Sequence, residues 1–232
     1  MLEVAISSVK RLAGKCVLRQ NVQVMKILAV SDQALDRIYS LSANGHFKDV
    51  ELILGCGDLP FEYLEYLVTM LNVPMLYVPG NHDPEHNPRV ERSQPEGGSN
   101  LDLQIVRHKK FLIGGFGGSI RYRPDGTNQH SQQDAYIRAF SMLPRLLLNR
   151  MQYGRALDIL ISHSPPFGLH DDSDLAHQGL KALNWLTRIA QPRYHFHGHT
   201  HLYKSNLENA ESVVGLTRVI NVYPYKTIEV SH

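Results

Sequence analysis

Apolar residues in this chain come in short runs. Each run is stopped by glycine, proline or a polar site-type residue, and stretches of helical spacing separate the runs. Val22–Val30 (Val-Gln-Val-Met-Lys-Ile-Leu-Ala-Val) predicts a buried strand ending at Ser31-Asp32. A short helix is expected over 35–43, and a second strand over 51–54 that closes at Gly55-Cys56-Gly57-Asp58. Pro60 suits the first turn of a helix, and Leu64, Leu67 and Leu71 would line one face of it. The third strand, 74–78, closes at Pro79-Gly80-Asn81-His82.

Residues 84–100, rich in Pro, Glu, Asn, Ser and Gly, read as a long surface loop. A hairpin is expected over 101–106 and 111–116, followed by a glycine-rich turn. A helical pattern over 131–152 should break at Pro144. After it come a strand over 157–162 ending at His163, a helix over 177–190, a strand over 193–197, and closing strands at 213–221 and 226–230. Asp32, Asp58, Asn81, His163 and His199 each fall just past the carboxyl end of an expected strand. Ligands of open α/β sheets collect at that edge, so the five converge if their strands are neighbours.

Bulk properties narrow the field. The 232 residues suffice for one α/β domain, here placed at 22–232 behind an N-terminal extension at 1–21. That extension carries Lys10, Arg11, Lys15 and Arg19 but no continuous apolar stretch of the signal-peptide kind. The formal net charge is +2, and without a basic stripe a nucleic-acid polymer is not the expected partner. Cys16 and Cys56 are the two thiols; they make no disulfide framework, which fits a cytoplasmic setting. No apolar run has the length of a membrane span.

The chemistry lies in Tyr-His-Phe-His-Gly-His-Thr-His at 194–201, together with Asp32, Gly57-Asp58, Gly80-Asn81-His82-Asp83 and His163. Carboxylates, an amide and imidazoles form a mixed oxygen and nitrogen ligand set suited to Mn, Fe, Zn or Ni. In this order and spacing the blocks resemble the calcineurin-like metallophosphoesterase superfamily. Ser-Pro-Pro after His163, Gly117-Gly118-Ser119 and His177-Gln178-Gly179 are similar, more narrowly, to small bacterial Icc-related phosphoesterases.

The resemblance implies a four-layer α/β/β/α sandwich with two mixed β-sheets, the metallo-dependent phosphatase fold, and two divalent ions at one edge. It assigns Asp32 and His201 to one ion and Asn81, His163 and His199 to the other, with Asp58 bridging. His82, not a ligand, faces the phosphate. The implied reaction is hydrolysis of a phosphomonoester or phosphodiester, on a small phosphorylated substrate, by a metal-bridging hydroxide. The sequence departs from the family at its first motif, usually Asp-x-His, which reads Asp32-Gln33-Ala34 here. Ala34 has no ligand atom, so the first ion loses a protein ligand. A metal- or nucleotide-binding protein with weak catalysis is the alternative reading, and a nuclease a third.

Other residues have simpler readings beside the functional one. Arg121 is placed either to clamp a phosphate or to form a surface ion pair. His177, at the start of its expected helix, is a candidate anion contact. His195 and His197 are expected to be packed strand residues, and His86 and His130 solvated loop residues. Asp171 and Asp172 read as caps for the helix after them, and Glu62 is the nearest acid able to orient His82.

Overall fold

The computed structural model describes residues 24–85, 87, 92–201 and 210–232. The expected extension at 1–21, with Cys16, and also His86 lie outside these residues. The first half of the chain forms β1 (Val24–Val30), α1 (Asp36–Ala43), β2 (Leu52–Gly55), α2 (Phe61–Leu71), β3 (Met75–Tyr77) and β4 (Gly98–Asn100). Next come β5 (Ile105–His108), β6 (Phe111–Phe116), β7 (Ser119–Ile120), β8 (Gln129–His130), α3 (Gln132–Ser141) and α4 (Leu143–Tyr153). The chain closes with β9 (Ile159–Ser162), α5 (Lys181–Ala190), β10 (Tyr194–His197), β11 (Glu211–Val214), β12 (Thr217–Asn221) and β13 (Tyr225–Ser231).

Two mixed sheets result. One has the order β13-β1-β2-β3-β4, parallel except for β13; the other has the order β11-β12-β10-β9-β6-β5, with parallel strands at its centre. Strands buried on both faces read as unbroken apolar runs rather than alternating ones, which is why Leu-Ile-Leu-Gly and Ile-Leu-Ile-Ser bury every residue. Successive side chains still point to opposite faces. Ile27, Leu52, Leu54, Ile113, Ile159 and Phe196 meet between the sheets. Leu28, Val30 and Ile53 pack outward onto Ile38, Tyr63 and Leu67 of the first helical layer. Phe116 and Leu160 pack onto Ala135, Leu146, Leu183 and Leu186 of the second. The layers are therefore α/β/β/α, and each fully buried Leu, Ile or Phe contributes about 1.5–3 kcal/mol.

The expected break at Pro144 is present: α3 starts on a Ser131–Asp134 capping box, and α4 restarts with Pro144 in its first turn. Several expectations need correction: the hairpin strand expected over 101–106 runs over Ile105–His108, and the closing strand expected over 213–221 is two antiparallel strands, β11 and β12. The end of the 84–100 loop is not loop, because Gly98–Asn100 pair in parallel with β3 as an edge strand. The helix expected from 177 begins only at Lys181. Gly179 is held against the Pro166 carbonyl, where a Cβ would lie 2.5 Å from the oxygen. Its N–H donates to Asp171, so Asp171 ties a loop rather than capping the helix.

Candidate metal centre and its cleft

Five corners follow the carboxyl ends of β1, β2, β3, β9 and β10, and the side-chain contacts between them bring the two sheet edges together. Asp32, Asp58 and His199 have positive φ (62°, 56° and 68°). That conformation costs a residue with a Cβ about 1–2 kcal/mol, and strain of this kind persists only where surrounding contacts over-determine it. Here they do. Asp83 accepts from the N–H groups of Asp58 (2.8 Å) and Gly80 (2.7 Å), locking the second corner to the third. Asp58 accepts from the N–H of His82 at 2.8 Å. Asp32 accepts from the N–H of His199 at 2.9 Å across the sandwich, and from the Ser31 hydroxyl at 2.5 Å. Glycine is required at two of these approaches: a Cβ would lie 2.0 Å from Asp58 at Gly80, and 1.7 Å from the Ser31 hydroxyl at Gly198.

Within this frame the ligand atoms converge. His163 is wholly buried, and its Nδ1 donates to the Cys56 carbonyl at 2.8 Å. Its Nε2 then stands 3.0 Å from Asn81 Oδ1, 3.0 Å from His199 Nδ1 and 3.3 Å from Asp58 Oδ2. The other nitrogen of His199 is engaged by the Ala176 carbonyl at 2.7 Å, which leaves Nδ1 as its lone-pair atom. In neutral rings, four acceptors thus face one another. Asp58, His163 and His199 bring their ligand atoms within 4.8 Å of one another. Such a gathering is unfavourable unless a cation or a proton sits among the lone pairs, so the donor set fits a divalent ion.

The protonation behaviour says the same. Burial disfavours a charged His163, but the adjacent Asp58 carboxylate outweighs it and raises the pKa to about 10. Burial also opposes ionisation of Asp58, and the His163 charge overrides it, taking the carboxyl to about 2. Burial, then the neighbouring His163, lowers His199 to about 4. The three shifts together favour a single positive charge on the group.

The other half is more open. Asp32 Oδ1 lies 3.8 Å from His201 Nε2, and the nearby Asp32 carboxylate raises the His201 pKa. The His201 ring stacks on Tyr223 (centroids 4.5 Å apart), whose hydroxyl donates to Gln33 Oε1 at 2.9 Å. Ala34 is exposed and offers no ligand atom. Gln33 thus supports, from a distance, the ring on which His201 stacks, a role invisible in its position beside Asp32.

Asp32, Asp58, Asn81, His82, His199 and His201 line one cleft of about 440 Å³. His177 lines it too, held by Asp174 at 2.8 Å and 5.4 Å from the His199 ring. Arg121 does not: its guanidinium bonds Asp134 and the Gln129 carbonyl. The cleft instead receives Tyr122 and Arg123, residues the sequence reading passed over; their place beside Arg121 was the available signal. Glu62 pairs with Arg92 at 3.0 Å. His195 and His197 are buried and hydrogen-bonded to Ser162 (2.8 Å) and His170 (2.9 Å). His130 is not a solvated loop residue. It lies half-buried in β8, and burial lowers its pKa to about 4.

Residues 25–203 match the calcineurin-like phosphoesterase model, and the chain belongs to that family. Among curated proteins none matches in sequence. One solved structure aligns with a TM-score of 0.59 at 16% identity, covering 90% of this chain and 99% of that one. The crystal structure of TT1561 of Thermus thermophilus aligns with a TM-score of 0.55 at 19% identity, covering 86% and 89%. At these identities the likeness is one of fold: two large mixed sheets between helical layers.

Proposed function

We propose that the chain is a metal-dependent phosphohydrolase that cleaves a phosphomonoester or phosphodiester. The single observation carrying this reading is the convergence of Asp58 Oδ2, Asn81 Oδ1, His163 Nε2 and His199 Nδ1 beneath an open cleft. Asn81, His163, His199 and Asp58 would hold one divalent ion; Asp32 and His201, with Asp58 shared, would hold a second. Ions bound there supply Lewis acidity toward a phosphoryl oxygen and lower the pKa of a coordinated water.

The chain's own residues divide the remaining work. His82 is exposed in the cleft while its backbone is fixed on Asp58. Its ring would stabilise charge on the phosphoryl oxygens or donate a proton to the departing ester oxygen. Asn81 turns its carbonyl oxygen to the ligand cluster, and its amide donates to the Tyr122 hydroxyl at 3.2 Å. The Ala176 and Cys56 carbonyls fix the tautomers of His199 and His163.

The test is hydrolysis of chromogenic phosphoesters by the purified full chain, with manganese added and then chelated. Turnover that requires the ion and disappears in Asp58→Asn supports the proposal. Turnover indifferent to both rejects it.

A second reading is favoured by Ala34, which leaves the Asp32–His201 half one ligand short. In it the protein holds one tight ion and acts as a metal or nucleotide binder with weak catalysis. Metal analysis separates the two: about one ion per chain throughout supports the binder, and two support the enzyme.

A further inference from the structure

The helical layer over the second sheet is apolar on both of its sides. In α4, Leu146 and Asn149 are buried, and the Asn149 amide donates to the Ala156 carbonyl at 3.2 Å. At roughly 100° per residue, the side directly opposite is formed by Leu147, Leu148 and Met151. They are 55%, 40% and 83% exposed. In α3, Ala135 and Ala139 face inward while Ile137 and Phe140 point out, 68% and 50% exposed. A surface helix that meets only water turns its polar residues outward; α4 has its asparagine inside and its leucines outside.

The apolar surface is continuous across three helices. Phe140 meets Trp185 of α5 edge-on, with ring centroids 4.7 Å apart. Arg150 of α4 donates to the carbonyl of Ile189, itself exposed near the end of α5, at 3.0 Å. None of these residues lines the metal cleft.

The charge on this surface has one sign. The whole chain is nearly balanced, with 24 Lys and Arg against 22 Asp and Glu. Yet α4 and α5 carry Arg145, Arg150, Lys181 and Arg188 and no acidic residue. By the same helical angle, Arg145 and Arg150 flank the Leu147–Met151 strip on its two sides. Among the described residues no carboxylate pairs with Arg145, Arg150 or Arg188.

Charge decides what covers such a face. A second copy docked about a twofold axis would set these arginines against their own counterparts, with no carboxylate to pair them. Residues 1–21 carry Lys10, Arg11, Lys15 and Arg19 against the single acid Glu3, so they are repelled as well. A nucleic acid would pair the arginines and leave Leu147, Leu148 and Met151 against water.

We propose that the outer face of α3, α4 and α5 docks on an anionic lipid bilayer. Ile137, Leu147 and Met151 enter the boundary between headgroups and acyl chains, and Arg145 and Arg150 meet the lipid phosphates. Helices that lie in this plane combine an apolar strip with flanking basic residues, and an anionic leaflet attracts each Lys or Arg close to it. The contact is with the membrane surface: among the described residues no helix is long and apolar enough to cross one.

The experiment is co-flotation of the full chain with vesicles of phosphatidylcholine alone or of phosphatidylcholine and phosphatidylglycerol in equal amounts. The mixed vesicles should bind at least about tenfold more tightly, and added salt should release the protein. Two double variants, Leu147→Asp with Met151→Asp and Arg145→Glu with Arg150→Glu, should each weaken binding about tenfold. Val213→Asp with Leu216→Asp, on the exposed β11–β12 hairpin, should leave it unchanged. The substituted side chains are all exposed, and matched melting temperatures check that the variants fold. Equal binding to both kinds of vesicle, binding that survives both face variants, or an equal loss in the hairpin variant overturns the docking surface. So does the absence of binding, which would leave an acidic protein as the occupant.

Discussion

Asn81 Oδ1 and His163 Nε2 stand 3.0 Å apart, and the Cys56 carbonyl holds the proton of His163 on its far nitrogen. Two acceptors at hydrogen-bond distance need a positive charge between them or a second proton on the ring. The Asp58 carboxylate supplies the field that recruits either one.

Metal uptake should therefore displace a proton. With the His163 pKa raised to about 10, the metal-free site carries that proton at neutral pH. Binding should release roughly one proton per ion, and apparent affinity should climb about tenfold per pH unit below that value. Calorimetry in buffers of differing ionisation heat measures the release; a flat affinity from about pH 6 to 9 contradicts it. The same pair stabilises the metal-free fold. Because the folded pKa of His163 is raised, its contribution is full below the unfolded value of 6.5 and fades as pH rises toward about 10. Chelated protein should lose melting temperature over that window, and metal-loaded protein should lose less.

His82→Ala should separate chemistry from metal binding. The ring lies in the cleft, while the bond to Asp58 comes from the backbone, which the substitution keeps. Metal content should stay at the wild-type level and kcat fall by roughly 10²–10⁴-fold. Paired metal analysis and steady-state kinetics check this; a lost ion would show that the side chain is a ligand.

Gly198→Ala should damage the site through packing alone. Its Cβ would fall 1.7 Å from the Ser31 hydroxyl and 2.4 Å from Asp32 Oδ2, both held by further bonds. Overpacking of this kind costs about 1–3 kcal/mol or more. A denaturant midpoint equal to that of wild type would refute the close approach.

Ala34→His returns a ligand atom to the Asp32–His201 half. The expected result is a higher ion stoichiometry together with faster phosphoester turnover. Stoichiometry and rate both unchanged would mean that residue 34 does not reach the ion.

The sequence by itself determined where the polar corners lie. A parallel strand buried on both faces is largely apolar, β10 with its buried His195 and His197 being the exception, so the polar residues soon after Val30, Gly55, Tyr77, Ser162 and His197 mark the sheet edges. Residue type then carries the chemistry, since imidazole, amide and carboxylate are what a divalent ion takes. The proline itself placed the Pro144 break, but nothing local placed the late start of α5, because the tie between Asp171 and Gly179 joins residues eight apart in a loop with no repeat. Tertiary structure alone decided which atoms meet. In the segment after β7, backbone bonds to Gln129 turn Tyr122 and Arg123 into the cleft, while Arg121 is drawn to Asp134. The stacking of Tyr223 on His201 joins stretches of chain that no local pattern links. Side-chain direction in a loop is fixed by long-range hydrogen bonds and by φ, and neither has a period that can be read along the chain.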